Sequence, residues 1–297
     1  MLSEEVRARL EQLNRGRLPE LPVSVAPSPP QALAPPAIGE ATEVPALFPR
    51  RVAPADPSDV TLASLVPGEE VCGPLGMHYA VRASLDVFWA EFPVLLRRLS
   101  ARAGLPERRG LVRQLAEAFP GKTLFLDLET CGLAGAPIFL VGLIRSTPDG
   151  LLLDQLLARN YAEEQAILAT LEEYVRACEV LVTFNGRTFD WPMVRDRRAY
   201  HRLPDVPSTL PHVDLLIHAR RAWRRQVPNC RLQTLERFLC RRTRQGDIPG
   251  SQIPAAYHAF VRTGDARQLR DILHHNALDL VTLAQLTMRM LGEAGVK

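Results

Sequence analysis

The pattern of hydrophobic and polar positions predicts alternating strands and helices from residue 122 to residue 291. Short apolar runs predict strands at residues 122–130, 137–144, 151–157 and 179–184. Apolar positions three to four residues apart predict helices at residues 162–176 and 268–291. The first three strands form an antiparallel meander, and the strand that follows a helix is expected to lie parallel to the first. The predicted fold class is therefore α/β, with a mixed sheet flanked by helices.

The first 57 residues have a different pattern. Residues 3–14 combine a serine cap, early glutamates and helical apolar spacing, which predicts a short amphipathic helix. Residues 18–57 are rich in Pro, Ala and Ser, which predicts a flexible linker. The helix or the Pro-rich segment is a candidate docking site for a protein partner, and the alternatives are a frayed terminus and a plain spacer.

Residues 58–118 predict a small subdomain before the main domain at residues 119–297. Gly73-Pro74 and Gly76 indicate a hairpin, and apolar spacing predicts one helix over residues 85–103 and a short one over residues 108–118. Nothing in this stretch has the pattern of a catalytic site.

Composition changes this picture little. The 297 residues are 46% hydrophobic and 23% charged, which is typical of a soluble globular protein. No apolar run reaches the roughly 18 residues of a membrane span, and no signal-peptide pattern precedes the fold, so we expect a cytoplasmic protein without membrane contact. The five cysteines include no close pair and no CxxC, which indicates reduced thiols and neither disulfides nor zinc.

The first predicted strand ends in two acids, Asp127 and Glu129. Burying a carboxylate is costly unless something compensates for its charge. Side chains two residues apart project to the same face of a strand, so both acids can share one cation. The alternative is that they lie at the exit of the strand and are simply solvated.

Two further acids adjoin buried elements. Asp190 follows strand 179–184 and precedes Pro192 by two residues, so taken alone it is best interpreted as a helix N-cap. Asp279 adjoins the apolar face of the last helix, one turn after His275. Each of these is ordinary by itself, but acids on three separate elements together favour a functional site.

Three segments, in this order, resemble the motifs of a known family. Asp127-Leu-Glu129-Thr, Asn185-Gly-x-x-Phe-Asp190-x-Pro and His275-Asn-x-x-Asp279-x-x-x-Leu283 are similar to the exonuclease motifs of the ribonuclease H-like, DnaQ-type 3'-5' exonuclease superfamily with its DEDD carboxylates. The YprB-type branch is the most similar, because its pattern also includes Phe-Leu-Val-Gly at 139–142 and Asp-Ile-Pro-Gly at 247–250. The resemblance covers roughly residues 120–291 and implies a ribonuclease H-like mixed sheet.

The resemblance implies a metal site. Asp127, Glu129, Asp190 and Asp279 would bind two divalent ions, Mg²⁺ or Mn²⁺, with Asp127 between them. Two such ions, about 4 Å apart, activate water and stabilise the attacking and leaving oxygens of a phosphodiester. The implied activity is metal-dependent 3'-5' exonucleolytic hydrolysis of single-stranded DNA or RNA.

A histidine or tyrosine orients or deprotonates the water in such enzymes, and here two residues compete for that role. His275 occupies the position of the tyrosine in one branch, and His274 has the offset of the histidine branch. We favour His275, because it shares the helical face of Asp279. The loop at 131–137 is shorter than the YprB-type branch predicts, which leaves substrate grip least defined.

Candidate nucleic-acid contacts come from two sources. The motif residues Thr130, Asn185 and Phe189 stand beside the acids, and the resemblance implies that they contact the substrate. Arg220 and Arg224 belong to an arginine-rich stretch, residues 213–245, that could follow a phosphate backbone on two helices around Trp223 and Phe238. The alternative is a solvated helical surface, since nearly all the positive charge of this chain is arginine.

His212 and Asp214 are a separate question in the same stretch. They are either an auxiliary site or the start of a helix, and we favour the helix start. Two alternatives to exonuclease activity stay open: a structure-specific endonuclease on the same fold, and a non-catalytic nucleic-acid-binding module.

Overall fold

The fold is that of a computed structural model, described for residues 61–101, 110–207 and 209–293. The predicted N-terminal helix at 3–14 and the predicted linker at 18–57 lie outside these residues.

In the described ranges, seven strands form one mixed sheet in the order β1-β2-β5-β4-β3-β6-β7. The strands are β1 Glu69–Gly73, β2 Gly76–Ser84, β3 Thr123–Thr130, β4 Ile138–Thr147, β5 Gly150–Leu157, β6 Val180–Thr183 and β7 His212–Asp214. Neighbours from β1 to β3 are antiparallel, and β6 is parallel to both β3 and β7. The predicted mixed α/β sheet and its meander are therefore confirmed. The hairpin from residues 58–118 extends this same sheet through the pairing of β2 with β5.

Helices cover both faces of the sheet. They are α1 Leu62–Leu65, α2 Leu85–Phe88, α3 Phe92–Ala101, α4 Gly110–Ala118, α5 Glu164–Ala177, α6 Asp190–Tyr200, α7 Leu215–Ala222, α8 Leu232–Leu239, α9 Ile253–Thr263 and α10 Arg267–Glu293. Short 3-10 turns at Tyr161–Glu163 and Gly250–Gln252 precede α5 and α9. Across the described residues, no helix has both the length and the apolar character that crossing a membrane requires.

The prediction of one helix over residues 85–103 is wrong. Helix α2 ends at Phe88, and α3 begins at Phe92 after Trp89 has closed the first helix by donating its N–H to Leu85 O. Pro93 explains the break, because proline lacks an N–H and its ring clashes with the carbonyl four residues earlier. It fits the first turn of a new helix instead.

Successive residues of β3 face two hydrophobic clusters on opposite sides of the sheet. Leu124 and Leu126 pack in the cluster that holds Leu171 of α5. Phe125 packs in the other cluster, which holds Leu280 of α10. Because both faces of β3 are covered, the strand is apolar at successive positions and does not alternate with polar residues.

The pairing of β3 with β6 decides where the candidate acids emerge. Thr123 lies opposite Val180 and Phe125 lies opposite Val182 in a parallel register, as predicted. The carboxyl ends of parallel strands meet at one edge of a sheet, so the acidic end of β3 and the segment after β6 leave the sheet side by side.

Helix α10 approaches the sheet closely at Gly142 of β4. A Cβ atom on this glycine would lie 2.1 Å from Oδ1 of Asn276 in α10. Gly142 is the register partner of Asp127 on one side and of Gln155 on the other, so Asn276 lies above the sheet between these two residues. Only glycine permits this approach, which gives a physical reason for the glycine of the Phe-Leu-Val-Gly segment.

We predict that Gly142→Ala destabilises the protein by about 1–3 kcal/mol, the typical cost of forcing extra volume into a packed core. The buried amide of Asn276 must move to admit the methyl group. Gly121→Ala is the matched control, because a Cβ at this exposed residue meets nothing within 4 Å. Urea unfolding measures both variants, and equal free energies of unfolding would contradict the packing argument.

Candidate active site

Asp127 and Glu129 lie at the half-buried end of β3, where the strand leaves the core. The pairing of β3 with β4 shifts register after Glu129, which pairs with Leu140, whereas Thr130 pairs with Ile138, so Phe139 of β4 is the extra residue of a bulge beside the second acid. Bulges redirect side chains at the ends of strands and are common beside active sites. Both acids are held by a rigid central strand, which suits side chains that must keep a fixed geometry.

Asp190 is the first residue of α6 and not its N-cap, so the N-cap interpretation is wrong. Phe189 occupies the cap position and makes no side-chain cap hydrogen bond. Asn185, with φ 64°, turns the chain in the left-handed region directly after β6, a conformation that Asn tolerates better than most residues. This turn leaves the carboxylate of Asp190 free of a capping role.

Asp214 fixes that turn from the neighbouring strand β7. Its carboxylate accepts the N–H of Asn185 at 2.8 Å and the N–H of Arg187 at 3.3 Å. It also accepts the N–H of Leu216 at 3.0 Å and thereby caps α7, so the preferred helix start is confirmed for Asp214, whereas His212 lies in strand β7. The same carboxylate thus begins one helix and supports the loop that carries Asp190.

Asp279 and His275 face the acids from α10. The distance from His275 Nε2 to Asp279 Oδ2 is 3.5 Å. The other ring nitrogen, Nδ1, lies 2.8 Å from Asp247 Oδ1, and this contact fixes the orientation of the ring. His275 is 7% exposed, whereas His274 is displaced round the helix and half-buried.

Asn276 ties α10 to the sheet through Asp127. Its Nδ2 donates to Asp127 Oδ2 at 2.8 Å, and its Oδ1 accepts from Gln155 Nε2 at 2.9 Å. Gln155 Nε2 also donates to Leu273 O at 2.7 Å. Both amides are fully buried, so their hydrogen bonds set their orientation and that of the Asp127 carboxylate.

Burial and repulsion by neighbouring carboxylates raise the pKa of Asp127 strongly. Burial raises its pKa well above the usual value, and the charges of Asp279, Glu129 and Asp190 raise it further. The hydrogen bond from Asn276 opposes this shift. The four carboxylates are therefore close enough to interact electrostatically, which brings together the acids of all three motifs.

The pKa values of two other acids are also raised. Burial raises the pKa of Glu129 to about 8, with His275 opposing the shift and Asp279 and Asp190 adding to it. Burial raises the pKa of Asp190 to about 7, with further contributions from Asp214 and Asp279. Without a cation, the site therefore retains protons near neutral pH.

The pKa of His275 shifts in the opposite direction to that of an ordinary buried histidine. Burial lowers its pKa, but the hydrogen bond to Asp247 and the charges of Asp279 and Glu129 outweigh burial and raise the pKa overall. In the metal-free protein, the surrounding carboxylates therefore favour the protonated form of the ring.

The donor set fits divalent cations chemically, because clustered carboxylate oxygens are the ligands that Mg²⁺ and Mn²⁺ prefer. Within the described ranges, no three His, Cys, Asp or Glu side chains already stand in a ligating arrangement. One oxygen of Asp127 is bound to Asn276, and one oxygen of Asp279 is bound to Arg244. A cation would therefore bind through the other oxygens of these acids or compete with these two contacts.

A groove of about 480 Å³ lies beside Asp190. Thr130 and Phe189, both predicted as substrate contacts, line it together with Leu133. Phe189 is 62% exposed and Leu133 is 84% exposed. Asn185 does not line this groove, and its Oδ1 accepts the hydroxyl of Thr188 at 3.0 Å.

The arginine-rich stretch divides into exposed and buried residues. Arg220 and Arg224 are exposed on α7 and the turn after it, outside the groove. Trp223 is fully buried in the core, so the prediction that it lies within a basic surface is wrong. Arg242 and Arg244, which belong to the same arginine-rich stretch, do not lie on a basic surface either, because both pair with the buried Glu236.

Sequence reasoning missed several residues that support the site, namely Gln155, Arg244, Asp247 and Asn276, and it considered Asp214 as an auxiliary site but favoured a helix start. A signal was present for Gln155, a polar residue inside the apolar run of β5. Asp247 and Asn276 stand inside the segments that carried the resemblance. The contacts of Arg244 depend on tertiary structure, and no local pattern indicates them.

The described geometry is that of a ribonuclease H-like nuclease fold, and a family model agrees. The model described as RNase_H superfamily matches residues 124–291, which is more than half of the chain. This chain therefore belongs to the RNase_H superfamily.

A curated relative and a solved structure add detail. The uncharacterized protein YprB of Bacillus subtilis (strain 168) is 36% identical over 171 residues, which cover 56% of this chain and 41% of that protein. The predicted YprB-type resemblance is thus confirmed, although the match spans less than half of the relative. The family B DNA polymerase of the archaeon Pyrobaculum calidifontis matches 58% of this chain and 25% of its own, with a TM-score of 0.48 and 16% identity.

We predict that the stability of the metal-free protein falls between pH 5.5 and pH 8.5 because of Glu129. Its folded pKa of about 8 exceeds that of the unfolded chain, so its stabilising contribution is complete below about pH 4.5 and is lost as the pH rises through 8. Glu129→Gln removes this dependence. Between the two pH values the natural protein should lose about 2–3 kcal/mol more than the variant.

Urea unfolding with chelator present measures this difference. Glu173→Gln, at an exposed position of α5, is the matched control and should leave the pH dependence as it is. An identical pH dependence in the natural protein and in Glu129→Gln would show that burial and the neighbouring acids do not raise the pKa of Glu129.

Proposed function

We propose that this protein is a metal-dependent 3'-5' exonuclease that hydrolyses phosphodiester bonds of single-stranded DNA or RNA. The observation that carries the proposal is the electrostatic coupling of Asp127, Glu129, Asp190 and Asp279, which come from three separate elements. Such a cluster is costly for stability and has a clear use only where cations are bound.

The same four carboxylates are the proposed ligands of two Mg²⁺ or Mn²⁺ ions. When bound, the ions would activate water and offset the charge that develops on the phosphodiester. Members of this superfamily usually use divalent metals, which supports the choice. Asp127 is the proposed shared ligand, since its electrostatic coupling extends to all three other acids.

His275 is the proposed proton acceptor for the attacking water. Asp247 holds Nδ1, so Nε2 is directed towards Asp279 and is the atom that would take the proton. Burial lowers the pKa of His274, and the charges that act most on it are those of Asp247 and Arg244 and not those of the four acids, which supports the choice between the two histidines. Asp247 acts through the ring and is therefore a positioning residue.

The groove beside Asp190 is the proposed site for the terminal nucleotide. Its volume, about 480 Å³, lies within the range of small-molecule sites. The exposed side chains of Phe189 and Leu133 offer an apolar face on which a base can stack. Thr130 is the proposed polar contact, and stacking without base-specific hydrogen bonds is consistent with action on either DNA or RNA.

Other predicted interactions remain predictions. The predicted protein partner would bind residues 1–57, which lie outside the described residues. The cytoplasmic location is likewise a prediction.

Hydrolysis of end-labelled single strands tests the proposal. We predict stepwise loss from the 3' end of DNA or RNA with Mn²⁺ or Mg²⁺, and none with chelator. Asp127→Asn should lower the rate by more than about 100-fold, because even residues that only support a metal ligand cost about 10- to 100-fold. Asp149→Asn, the same change in an exposed turn at the other end of the sheet, should keep full activity.

Two results would contradict the proposal. Cutting of a closed circle with equal efficiency would favour an endonuclease. Binding of nucleic acid without metal-dependent cleavage of either polymer would favour the non-catalytic module.

We further predict that Arg220 and Arg224 contribute phosphate contacts. In the Asp127→Asn background, replacing both with Gln should weaken single-strand binding and flatten its salt dependence by about 0.7 per lost contact. The matched control replaces Arg113 and Arg176, two exposed arginines that already pair with glutamates. Equal salt slopes for both double variants would assign Arg220 and Arg224 to an ordinary solvated surface.

A further inference from the structure

A buried arginine contacts one of the proposed metal ligands. Arg244 lies in the loop after α8, and its side chain is 7% exposed. Its Nε donates to Glu236 Oε2 at 2.7 Å, and its Nη1 donates to Asp247 Oδ2 at 3.1 Å. Its Nη2 donates to Oδ1 of Asp279. The guanidinium is thus fixed on three sides and holds one oxygen of Asp279.

The same loop approaches α10 twice. Arg244 binds Asp279, and three residues later Asp247 binds His275. The Asp-Ile-Pro-Gly segment begins at Asp247, and Ile248 packs in the core of the sheet. These contacts hold the loop against the face of α10 that carries His275 and Asp279.

Arg244 affects Asp279 in two opposite ways. Its planar donors fix the rotamer of the carboxylate, which favours a defined ligand geometry. Its positive charge also compensates the acid cluster and repels any cation that approaches the same oxygens. A divalent ion must therefore compete with a guanidinium that is permanently charged.

We propose that Arg244 is a positioning residue that holds Asp279 in place and weakens cation binding at the acid cluster. This inference rests on the proposed metal-dependent function. Removing the guanidinium should strengthen cation binding while slowing hydrolysis. Loss of a residue with a purely structural role would not give tighter cation binding together with slower hydrolysis, because general damage to the site weakens cation binding.

Arg242 provides a matched control in the same network. Its Nε donates to Glu236 Oε1 at 2.6 Å, and its Nη2 donates to the hydroxyl of Thr282. It is 3% exposed, so it is as buried as Arg244, and it makes no hydrogen bond to Asp279 among the described residues. Loss of Arg242 therefore disturbs the shared partner Glu236 without releasing Asp279.

The test is a Mn²⁺ titration of the full chain, with free Mn²⁺ followed by electron paramagnetic resonance. Arg244→Gln should bind Mn²⁺ at least about fivefold more tightly than the natural protein, because the substitution removes a buried positive charge that repels the cation. Arg242→Gln should stay within about twofold. Hydrolysis at saturating Mn²⁺ should fall by about tenfold or more in Arg244→Gln, as for other residues that orient metal ligands.

Two further variants keep the result decisive. Arg244→Lys retains the charge without the planar fork, so its Mn²⁺ affinity should remain near that of the natural protein while hydrolysis falls. Arg244→Met replaces the side chain with an apolar one of similar length. If thermal unfolding shows that Arg244→Gln does not fold, the titration is carried out on Arg244→Met instead.

The outcomes separate this inference from the proposed function. Equal or weaker Mn²⁺ binding by Arg244→Gln and Arg244→Met, in a protein that does bind Mn²⁺, would overturn the role of Arg244 alone. Absence of Mn²⁺ binding in every variant would overturn the metal-dependent function and this inference with it. Binding that appears only when the guanidinium is removed would support both.

Discussion

Four carboxylates that lie close together in a partly buried site repel one another, and the surrounding structure restrains that repulsion. Asn276 donates to Asp127 from one side, and Arg244 holds Asp279 from another. Burial and mutual repulsion raise the pKa values of Glu129 and Asp190 to about 8 and about 7, so the metal-free cluster is partly neutralised by protons. Divalent cations would replace these protons, which links the energetics of the fold to its proposed chemistry.

The support for this cluster is built in layers. The parallel pairing of β3 with β6 brings two acidic segments to one edge of the sheet, and α10 adds the remaining acid across Gly142. Behind them, buried Gln155 orients Asn276, and Asp214 fixes the turn before Asp190. Asp127, Asp190 and Asp279 are therefore supported by groups outside the proposed ligand set, as precise sites require.

Periodicity was sufficient to predict β3 to β6, because they are apolar runs separated by clear turns and one amphipathic helix, but it predicted neither β7 nor the pairing of β2 with β5. It failed at residues 89–91, where a helical apolar pattern continues across a break that Pro93 imposes. The candidate acids could be found because they end buried strands or flank the apolar face of α10. The arginine-rich pattern of residues 213–245 predicts a basic surface that includes Arg244, because a count of arginines does not reveal which of them Glu236 neutralises inside the fold.

The central claim is that Asp127, Glu129, Asp190 and Asp279 together form one cation centre. Anomalous diffraction from crystals of the natural protein soaked in Mn²⁺ tests it directly, because Mn²⁺ can be located independently of the protein atoms. We predict Mn²⁺ peaks among these four carboxylates, and their loss in Asp127→Asn. Crystals that show no Mn²⁺ at this cluster, or the same peaks in both proteins, would contradict the account.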